Sequence, residues 1–178
     1  MIYNKRPYMW QQPEFCNAVL NASYLLATTP QEITLALQYI ERYVDTNNDN
    51  LYKVISMAGV IFDKTRQSGD DVGHTLRTIF HMVQIQKVKD RLESFNIKTD
   101  DAYNKSCFVD GVVAICDSIG QQWKYLDNTQ KLIVAKTLGG TRCAVATLNL
   151  FEEYPKVTKV CEKLSEEWME TWTALFWL

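Results

Sequence analysis

Two histidines and five cysteines are the residues of this chain that could act as nucleophiles, general bases or metal ligands. His74 and His81 stand seven positions apart. On a helix that spacing corresponds to roughly 10 Å of axial rise, which is too far for both to bind one metal ion directly. The cysteines, at positions 16, 107, 116, 143 and 161, include no Cys-x-x-Cys pair. The sequence therefore predicts buried structural cysteines, no metal site and no cysteine–histidine enzyme.

A glycine pair followed by a hydroxyl and an arginine, Gly139-Gly140-Thr141-Arg142, is the other stretch whose residue types suit a ligand, here an anion. A phosphate-binding P-loop needs Gly-x-x-x-x-Gly-Lys and then Ser or Thr, between a strand and a helix. This stretch matches neither the pattern nor the context. We predict a helix break instead, in which Gly139 has a positive φ, Gly140 allows close packing and Thr141 caps the next helix. Anion capture by Arg142 is the alternative.

The polar run from Asp45 to Asn50 places oxygen-bearing side chains at alternate positions, as a calcium-binding loop does. An EF-hand loop needs glycine at its sixth position and glutamate at its twelfth, where this chain has Asn50 and Ser56. We therefore predict a turn that caps the next helix. The remaining carboxylates are scattered over polar faces, with no apolar-flanked pair that would supply a tuned acid and base. No enzymatic activity and no cofactor are expected.

The elements that would position these residues are helices. Thr29-Pro30-Gln31-Glu32 predicts a capping box with proline in the first turn, and Ser68-Gly69 opens a long helix. The predicted helices cover residues 30–44, 51–65, 68–95, 108–123, 127–139, 141–154 and 155–178. The polar segment near 96–106 is the one place where a brief strand pair fits. The sequence thus predicts an all-α bundle of about six to eight helices.

Composition limits the domain organisation and the partners. The chain has 178 residues, of which 47% are hydrophobic, enough for one substantial core. We predict an arm over residues 1–14 and one helical domain over 15–178, with sub-units at about 15–96 and 103–178. The net charge of −2 comes from 19 basic and 21 acidic residues that are mixed along the chain. This mixture argues against direct binding of nucleic acid or an anionic membrane.

Localisation follows from what the sequence lacks. No apolar run approaches the roughly 20 residues that a membrane span needs, and no export signal is evident. The odd number of cysteines, five, fits a reduced, intracellular protein. The sequence is compatible with either a monomer or a homo-oligomer.

The last predicted helix ends in aromatic residues. Trp168, Trp172, Leu175 and Phe176 stand at i, i+4, i+7 and i+8 and would form one apolar ridge. Such a ridge at a chain terminus predicts an anchor for a protein partner, since tryptophan is enriched where interfaces concentrate their binding energy. The alternative is that the ridge closes the core of its own domain.

The order of these motifs resembles the core region of phage tail tape measure proteins of Gram-positive hosts, over roughly residues 15–165. The matched motifs include a Ser-Gly-x-x-x-Gly-x-x-Leu-Arg-Thr pattern at the end of a helical hairpin, a later helix ending in tryptophan and a Gly-x-Arg turn. The matching residues are Ser68, Gly69, Gly73, Leu76, Arg77, Thr78, Trp123, Leu126, Gln130, Ala135, Gly140, Thr141 and Arg142. Cys143 stands where the family has glutamine.

The resemblance implies a helical module that binds protein partners in tail assembly, in the virion tail or the host cytoplasm. Members of that family are far longer than this chain. Even one unbroken helix would extend only about 1.5 Å per residue, too little for a length ruler. We therefore expect either a piece of such a protein or the same fold in another use. The second function class is a freestanding phage-encoded inhibitor, an anti-CRISPR or other anti-defence protein, that binds and blocks a host defence factor.

Overall fold

The computed structural model describes residues 13–26, 28–43, 50–99 and 108–176. Within these ranges the chain forms eight α-helices and no strand, which confirms the all-α class. The helices are α1 (Pro13–Leu25), α2 (Pro30–Gln38), α3 (Asn50–Thr65), α4 (Gly69–Met82), α5 (Gln86–Glu93), α6 (Phe108–Gln122), α7 (Asn128–Glu152) and α8 (Tyr154–Phe176). Short 3-10 helices at Glu41–Tyr43 and Trp123–Tyr125 follow α2 and α6.

Some of the predicted features fall partly or wholly outside the described residues. Residues 96–99, the described part of the predicted strand pair, are turn and irregular chain. The rest of that segment lies outside the described residues, as do the polar run over 45–49 and residues 1–12 of the predicted arm.

The Thr29 capping box is half formed. Thr29 Oγ1 accepts a hydrogen bond from the Glu32 amide at 3.3 Å, and Pro30 occupies the first turn of α2 as predicted. The Glu32 carboxylate, expected to reach back to Thr29, instead accepts a hydrogen bond from the Gly69 amide at the start of α4. It does so because α2 and α4 pack side by side and the free amides of a helix N-terminus attract a carboxylate.

Two further helices begin at their predicted caps. Ser68 Oγ accepts a hydrogen bond from the Asp71 amide at 3.3 Å, so that Gly69 becomes the first residue of α4. Asp127 and Gln130 form a complete capping box at the start of α7, with hydrogen bonds of 2.8 and 3.0 Å. Local side-chain chemistry therefore fixes where these helices start.

Two predicted helices are too long. α2 ends at Gln38 rather than near residue 44. The long helix expected after Ser68 is broken between Met82 and Gln86 into α4 and α5. Val83 and Val88 are both buried although they stand five positions apart. One continuous helix would place them about 140° apart around its axis, so the break is what lets both side chains reach the core.

α3 is the central helix of the core. Leu51 and every residue from Val54 to Phe62 are buried, so this helix is covered on all sides. It packs against α8 and α7, while α4 packs against α2 and α7. The helices before residue 99 therefore pack directly against the helices after residue 108. No helix of the described ranges combines the length and the apolarity that crossing a membrane requires.

Candidate functional site

A groove, here called the Lys53 groove, lies where α3, α6 and the start of α8 meet. Its volume is about 630 Å³, within the usual range for ligand sites. Lys53, Asp117 and Tyr154 form its floor, and its rim includes Gln121, Lys124, Tyr125 and Thr158. The site is therefore built from residues that stand far apart in the sequence.

The floor is a bonded group of three side chains that converge on one oxygen. Asp117 Oδ1 lies 2.8 Å from Lys53 Nζ and accepts a hydrogen bond from the Tyr154 hydroxyl, also at 2.8 Å. The Lys53 ammonium stands 5.4 Å from the centre of the Tyr154 ring. Because Asp117 bonds both neighbours, all three groups are held in fixed positions.

The backbone of α6 makes room for this arrangement. Tyr154 is the first residue of α8, and its ring lies against Gly120, where an added Cβ would overlap the ring. The Phe151 ring stacks on the Tyr154 ring, with 5.6 Å between the two ring centres. Trp123 packs on Phe151 in turn, at 5.3 Å between ring centres. The glycine thus lets a tyrosine at one helix start pack flat on another helix.

The tyrosine of the floor and a neighbouring cysteine are both neutral at physiological pH. Burial raises the pKa of the Tyr154 phenol well above its usual range, and Cys116 and Asp117 raise it further. Burial likewise raises the pKa of the neighbouring Cys116 thiol, and the charge of Asp117 adds to the effect. Cys116 is therefore a protonated, buried thiol rather than a nucleophile.

A second groove of about 550 Å³ lies between the starts of α2 and α4 and the end of α3. Its carboxylates already have partners. The Glu32 carboxylate accepts a hydrogen bond from the Gly69 amide, and Asp63 Oδ2 lies 2.6 Å from Lys156 Nζ. The Lys156 hydrogen bond is the main cause that lowers the pKa of Asp63. These partners satisfy the acidic groups of the second groove.

The structure exchanges the roles predicted for the two glycines at the turn. Gly140, not Gly139, has the positive φ, of 62° with ψ of −168°, and it kinks α7. Gly139 keeps a helical backbone and is the close-packing residue, since an added Cβ would overlap Thr147 Oγ1. Open space surrounds the Cβ position of Gly140. The predictions for both glycines are therefore wrong, because tertiary packing on Thr147 decides which of the two must lack a side chain.

The residues after the kink also differ from the prediction. Thr141 has helical backbone, so Gly140 rather than Thr141 is the non-helical residue at the break. Arg142 is exposed, and its Nη2 lies 3.9 Å from Asp71 Oδ1 on α4. The anion that Arg142 meets in this structure is thus a carboxylate of the same chain, in a weak surface pair.

The predicted partner-binding residues Trp168, Trp172, Leu175 and Phe176 lie in the last turns of α8. Their backbone is helical, and their side chains lie outside the described ones. Earlier in α8 the buried residues are Tyr154, Val157, Val160 and Leu164. Partner binding by this ridge stays a prediction.

The two histidines are exposed on α4. The His74 ring lies 5.6 Å from the Tyr39 ring, and His81 stands in the last turn. Among the residues that the structure describes, no group of three or more histidine, cysteine or acidic side chains could hold a metal ion.

The described cysteines lie in different environments. Cys116 and Cys143 are buried and Cys161 is half-buried, whereas Cys16 is exposed on α1. The prediction of buried cysteines is therefore wrong for Cys16, which lies on the outer face of a helix whose buried face is filled by other residues. Cys107 lies outside the described residues.

None of the three floor residues was predicted from the sequence. Lys53 and Asp117 are charged residues inside the apolar stretches of α3 and α6, and that contrast was a usable signal. Their separation in sequence gave no reason to connect them with each other or with Tyr154. Only the packing of three helices brings the three side chains together.

Comparison of this chain with protein-family models, with curated proteins and with solved structures finds no match.

Proposed function

We propose that this chain is a non-enzymatic, phage-derived protein-binding domain that acts in tail assembly, as its resemblance to the tape measure core implies. The observation that carries the binding role is the rim of the Lys53 groove. Tyr125 is 68% exposed there, with the Lys124 ammonium 4.8 Å from the centre of its ring. Tyrosine is enriched at the energetic centres of protein interfaces, because it offers a large rigid surface with a polar tip. An exposed tyrosine beside a groove is a suitable anchor for a partner.

The groove floor supports binding over catalysis. A general base or nucleophile works best when its pKa lies near the working pH. The raised pKa values of Cys116 and Tyr154 keep both groups protonated at neutral pH. Asp117 is held by an ammonium and a hydroxyl. These contacts hold the groove in shape, and the buried thiol and phenol do not ionise readily.

A second candidate function is that of a freestanding inhibitor of a host defence factor, such as an anti-CRISPR protein, which binds and blocks its target. Exposed apolar residues on further helices favour it. Tyr24 on α1 is 85% exposed, one turn after the exposed Leu20, and Val145 on α7 is 71% exposed. Exposed apolar groups on several helices suit a small domain that covers a large surface of its target.

Site-specific photo-crosslinking tests the proposed function. A benzoylphenylalanine in place of Tyr125 should crosslink to a tail component when the full chain is expressed during phage assembly. The matched control places the same group at Lys87, an exposed residue on α5, and should give no such product. A crosslink to a host defence factor would select the inhibitor function instead. Absence of a protein crosslink from position 125 under either condition would overturn the binding role of this rim.

The composition of purified phage particles separates the two functions further. A tail-assembly protein should be found with tail components, whereas an inhibitor should be absent from particles and should restore infection of a defended host. The neighbouring genes give a second reading: tube and baseplate genes fit the first function, and a cluster of small unrelated genes fits the second.

A further inference from the structure

The Lys53 ammonium has hydrogen-bonding capacity that the described residues do not use. Its side chain is only 14% exposed, and Asp117 Oδ1 is the acceptor that it meets, at 2.8 Å. A lysine ammonium carries three N–H donors. One face of this ammonium lies toward the Tyr154 ring at 5.4 Å, which is an attraction without a hydrogen bond. Within the described part of the chain, two of its donors thus lack an acceptor, and the group sits at the floor of a groove.

The charge of the groove is complementary to an anion. Two lysines, Lys53 and Lys124, line it with a single carboxylate, that of Asp117. That carboxylate is already shared by Lys53 and the Tyr154 hydroxyl. The groove is therefore cationic on a chain whose formal net charge is −2. A local field of this sign attracts carboxylates and repels cations.

The rim adds groups that suit a peptide. Gln121 and Thr158 offer an amide and a hydroxyl to a backbone, and Tyr125 and Pro155 offer apolar surface. Amides and hydroxyls of this kind can pair with peptide N–H and C=O groups, which carry both donors and acceptors. Tyr125 beside Lys124 gives an apolar contact next to a charge.

We infer that the Lys53 groove binds an acidic segment of a protein partner, with a glutamate or aspartate carboxylate on Lys53 and Lys124 and an adjacent apolar side chain on Tyr125. This inference rests on the proposed protein-binding function and names the chemistry of its partner. The partner's carboxylate accepts hydrogen bonds from the two remaining N–H groups of Lys53. The ion pair gains strength because this ammonium is mostly shielded from water.

The test uses the full-length chain and two synthetic peptides. The probe is acetyl-Gly-Glu-Phe-Glu-Gly-amide, and its counterpart carries glutamine at both glutamate positions. Amide chemical-shift changes in ¹⁵N-labelled protein should map to the groove residues with the glutamate peptide. Affinity for the glutamine peptide should be at least about tenfold lower, which corresponds to the loss of one charge-assisted contact. Equal affinity for both peptides, or shifts outside the groove, would overturn the inference.

Variants at the rim and the floor locate the contact. Lys124 is exposed, so Lys124→Gln should not unfold the chain. It should lower the affinity for the glutamate peptide at least about fivefold. Lys53→Met should abolish binding, and Lys53→Arg should restore part of it. Lys87→Gln is the matched control and should bind as the unchanged chain does. If Lys124→Gln binds like the control, the carboxylate contact is wrong even if Lys53→Met fails to fold.

Two outcomes separate this inference from the broader function. Inorganic phosphate at the peptide concentration should cause little shift and little competition; equal competition would overturn a carboxylate-specific peptide site in favour of a general anion site. If the crosslink at position 125 captures a partner but neither peptide binds, the acidic partner is wrong and the binding function stands.

Discussion

At the scale of single residues, the Lys53 groove depends on one oxygen atom. Asp117 Oδ1 forms an ion pair with the Lys53 ammonium and accepts a hydrogen bond from the Tyr154 hydroxyl. The carboxylate therefore keeps a cation and a phenol in register at the junction of three helices. Shared acceptors of this kind make the contribution of each side chain depend on the other two.

The buried thiol and phenol should make the protein less stable in alkali. Cys116 and Tyr154 have folded-state pKa values above those of the unfolded chain, so the unfolded chain releases these protons first as the pH rises. Their contribution to the free energy of unfolding is complete at neutral pH and is lost progressively above about pH 8.5, where unfolded thiols and then phenols ionise. Urea midpoints measured between neutral pH and about pH 11 should therefore fall.

Two variants assign that pH dependence. Tyr154→Phe and Cys116→Ala each remove one titrating group, so each should show a shallower alkaline loss than the unchanged chain, whatever their stability at neutral pH. Profiles parallel to that of the unchanged chain would mean that other tyrosines, lysines or cysteines cause the loss.

The two glycines of the α7 kink should respond to substitution for different reasons. Gly139→Ala adds a methyl group that overlaps buried Thr147, and Gly140→Ala adds one in open space on a backbone with φ of 62°. Each change should lower the free energy of unfolding by about 1–3 kcal/mol, through overpacking in the first case and backbone strain in the second. Urea denaturation with linear extrapolation measures both.

Thr147→Ala distinguishes the two mechanisms. Combined with Gly139→Ala it should recover part of the loss, because the overlapping hydroxyl is gone, although its bond to the Cys143 carbonyl at 2.9 Å is lost as well. Combined with Gly140→Ala it should recover nothing. Equal recovery in both combinations would contradict the assigned roles.

At the scale of the element, the start of one helix is bonded to a side chain of a neighbouring helix. The N-terminus of α4 carries a local cap, Ser68, and a remote one, the Glu32 carboxylate of α2. The first acts within one turn, whereas the second also fixes how α2 and α4 lie against each other. The same glutamate thus contributes to two levels of structure.

Removal of either cap should destabilise the fold by a similar amount. Ser68→Ala should cost about 1 kcal/mol, the usual value for an N-cap. Glu32→Ala should cost about as much, because a helix-terminal amide loses its charged acceptor. Thermal melts followed by circular dichroism measure both changes. Glu32→Gln, which keeps an acceptor without the charge, should lie between Glu32→Ala and the unchanged chain; a Glu32→Ala variant as stable as the unchanged chain would contradict the remote cap.

At the scale of the whole molecule, helices before residue 99 and helices after residue 108 are packed into one core. α3 packs against α7 and α8, and α4 packs against α7. Two surface ion pairs reinforce the first contact, Asp63 with Lys156 and Lys64 with Glu153, both at 2.6 Å. Exposed pairs of this kind contribute little each, so the apolar contacts around α3 carry the junction.

Unfolding should therefore be a single transition. In a variant whose other four tryptophans are replaced by phenylalanine, the fluorescence of buried Trp123 reports on the part of the chain after residue 108, and far-ultraviolet circular dichroism reports on all helices. Their urea curves should coincide, since separating α3 from α7 and α8 would expose the buried surface of both parts at once. A fluorescence midpoint distinct from the circular-dichroism midpoint would instead support the sub-units at about 15–96 and 103–178.

The aromatic ridge at the end of α8 should act in association. Changing Trp172 and Phe176 together to alanine should abolish partner binding or self-association while helix content and melting temperature stay nearly constant. If the ridge is buried in its own domain, the change should cost about 3–5 kcal/mol per aromatic and unfold the chain. Sedimentation and a circular-dichroism melt of the double variant decide between these outcomes.

The sequence by itself determined the helical class and several helix starts, because caps and apolar periodicity act over one or two turns. Ser68, Asp127 and Pro30 lie where local chemistry places them. Helix ends were less predictable: the break after Met82 exists because Val83 and Val88 both reach the core, a requirement set by neighbouring helices. Local preference fixes a start, but packing decides how far a helix continues.

Only the tertiary structure decided which residues meet. The glycine pair was recognisable, yet the overlap with Thr147 assigns close packing to Gly139 and leaves the kink to Gly140. Lys53 and Asp117 stood out as charges in apolar helices, but nothing in their spacing joined them to Tyr154. Contacts between residues so far apart depend on how the helices pack, and no short sequence pattern carries that information.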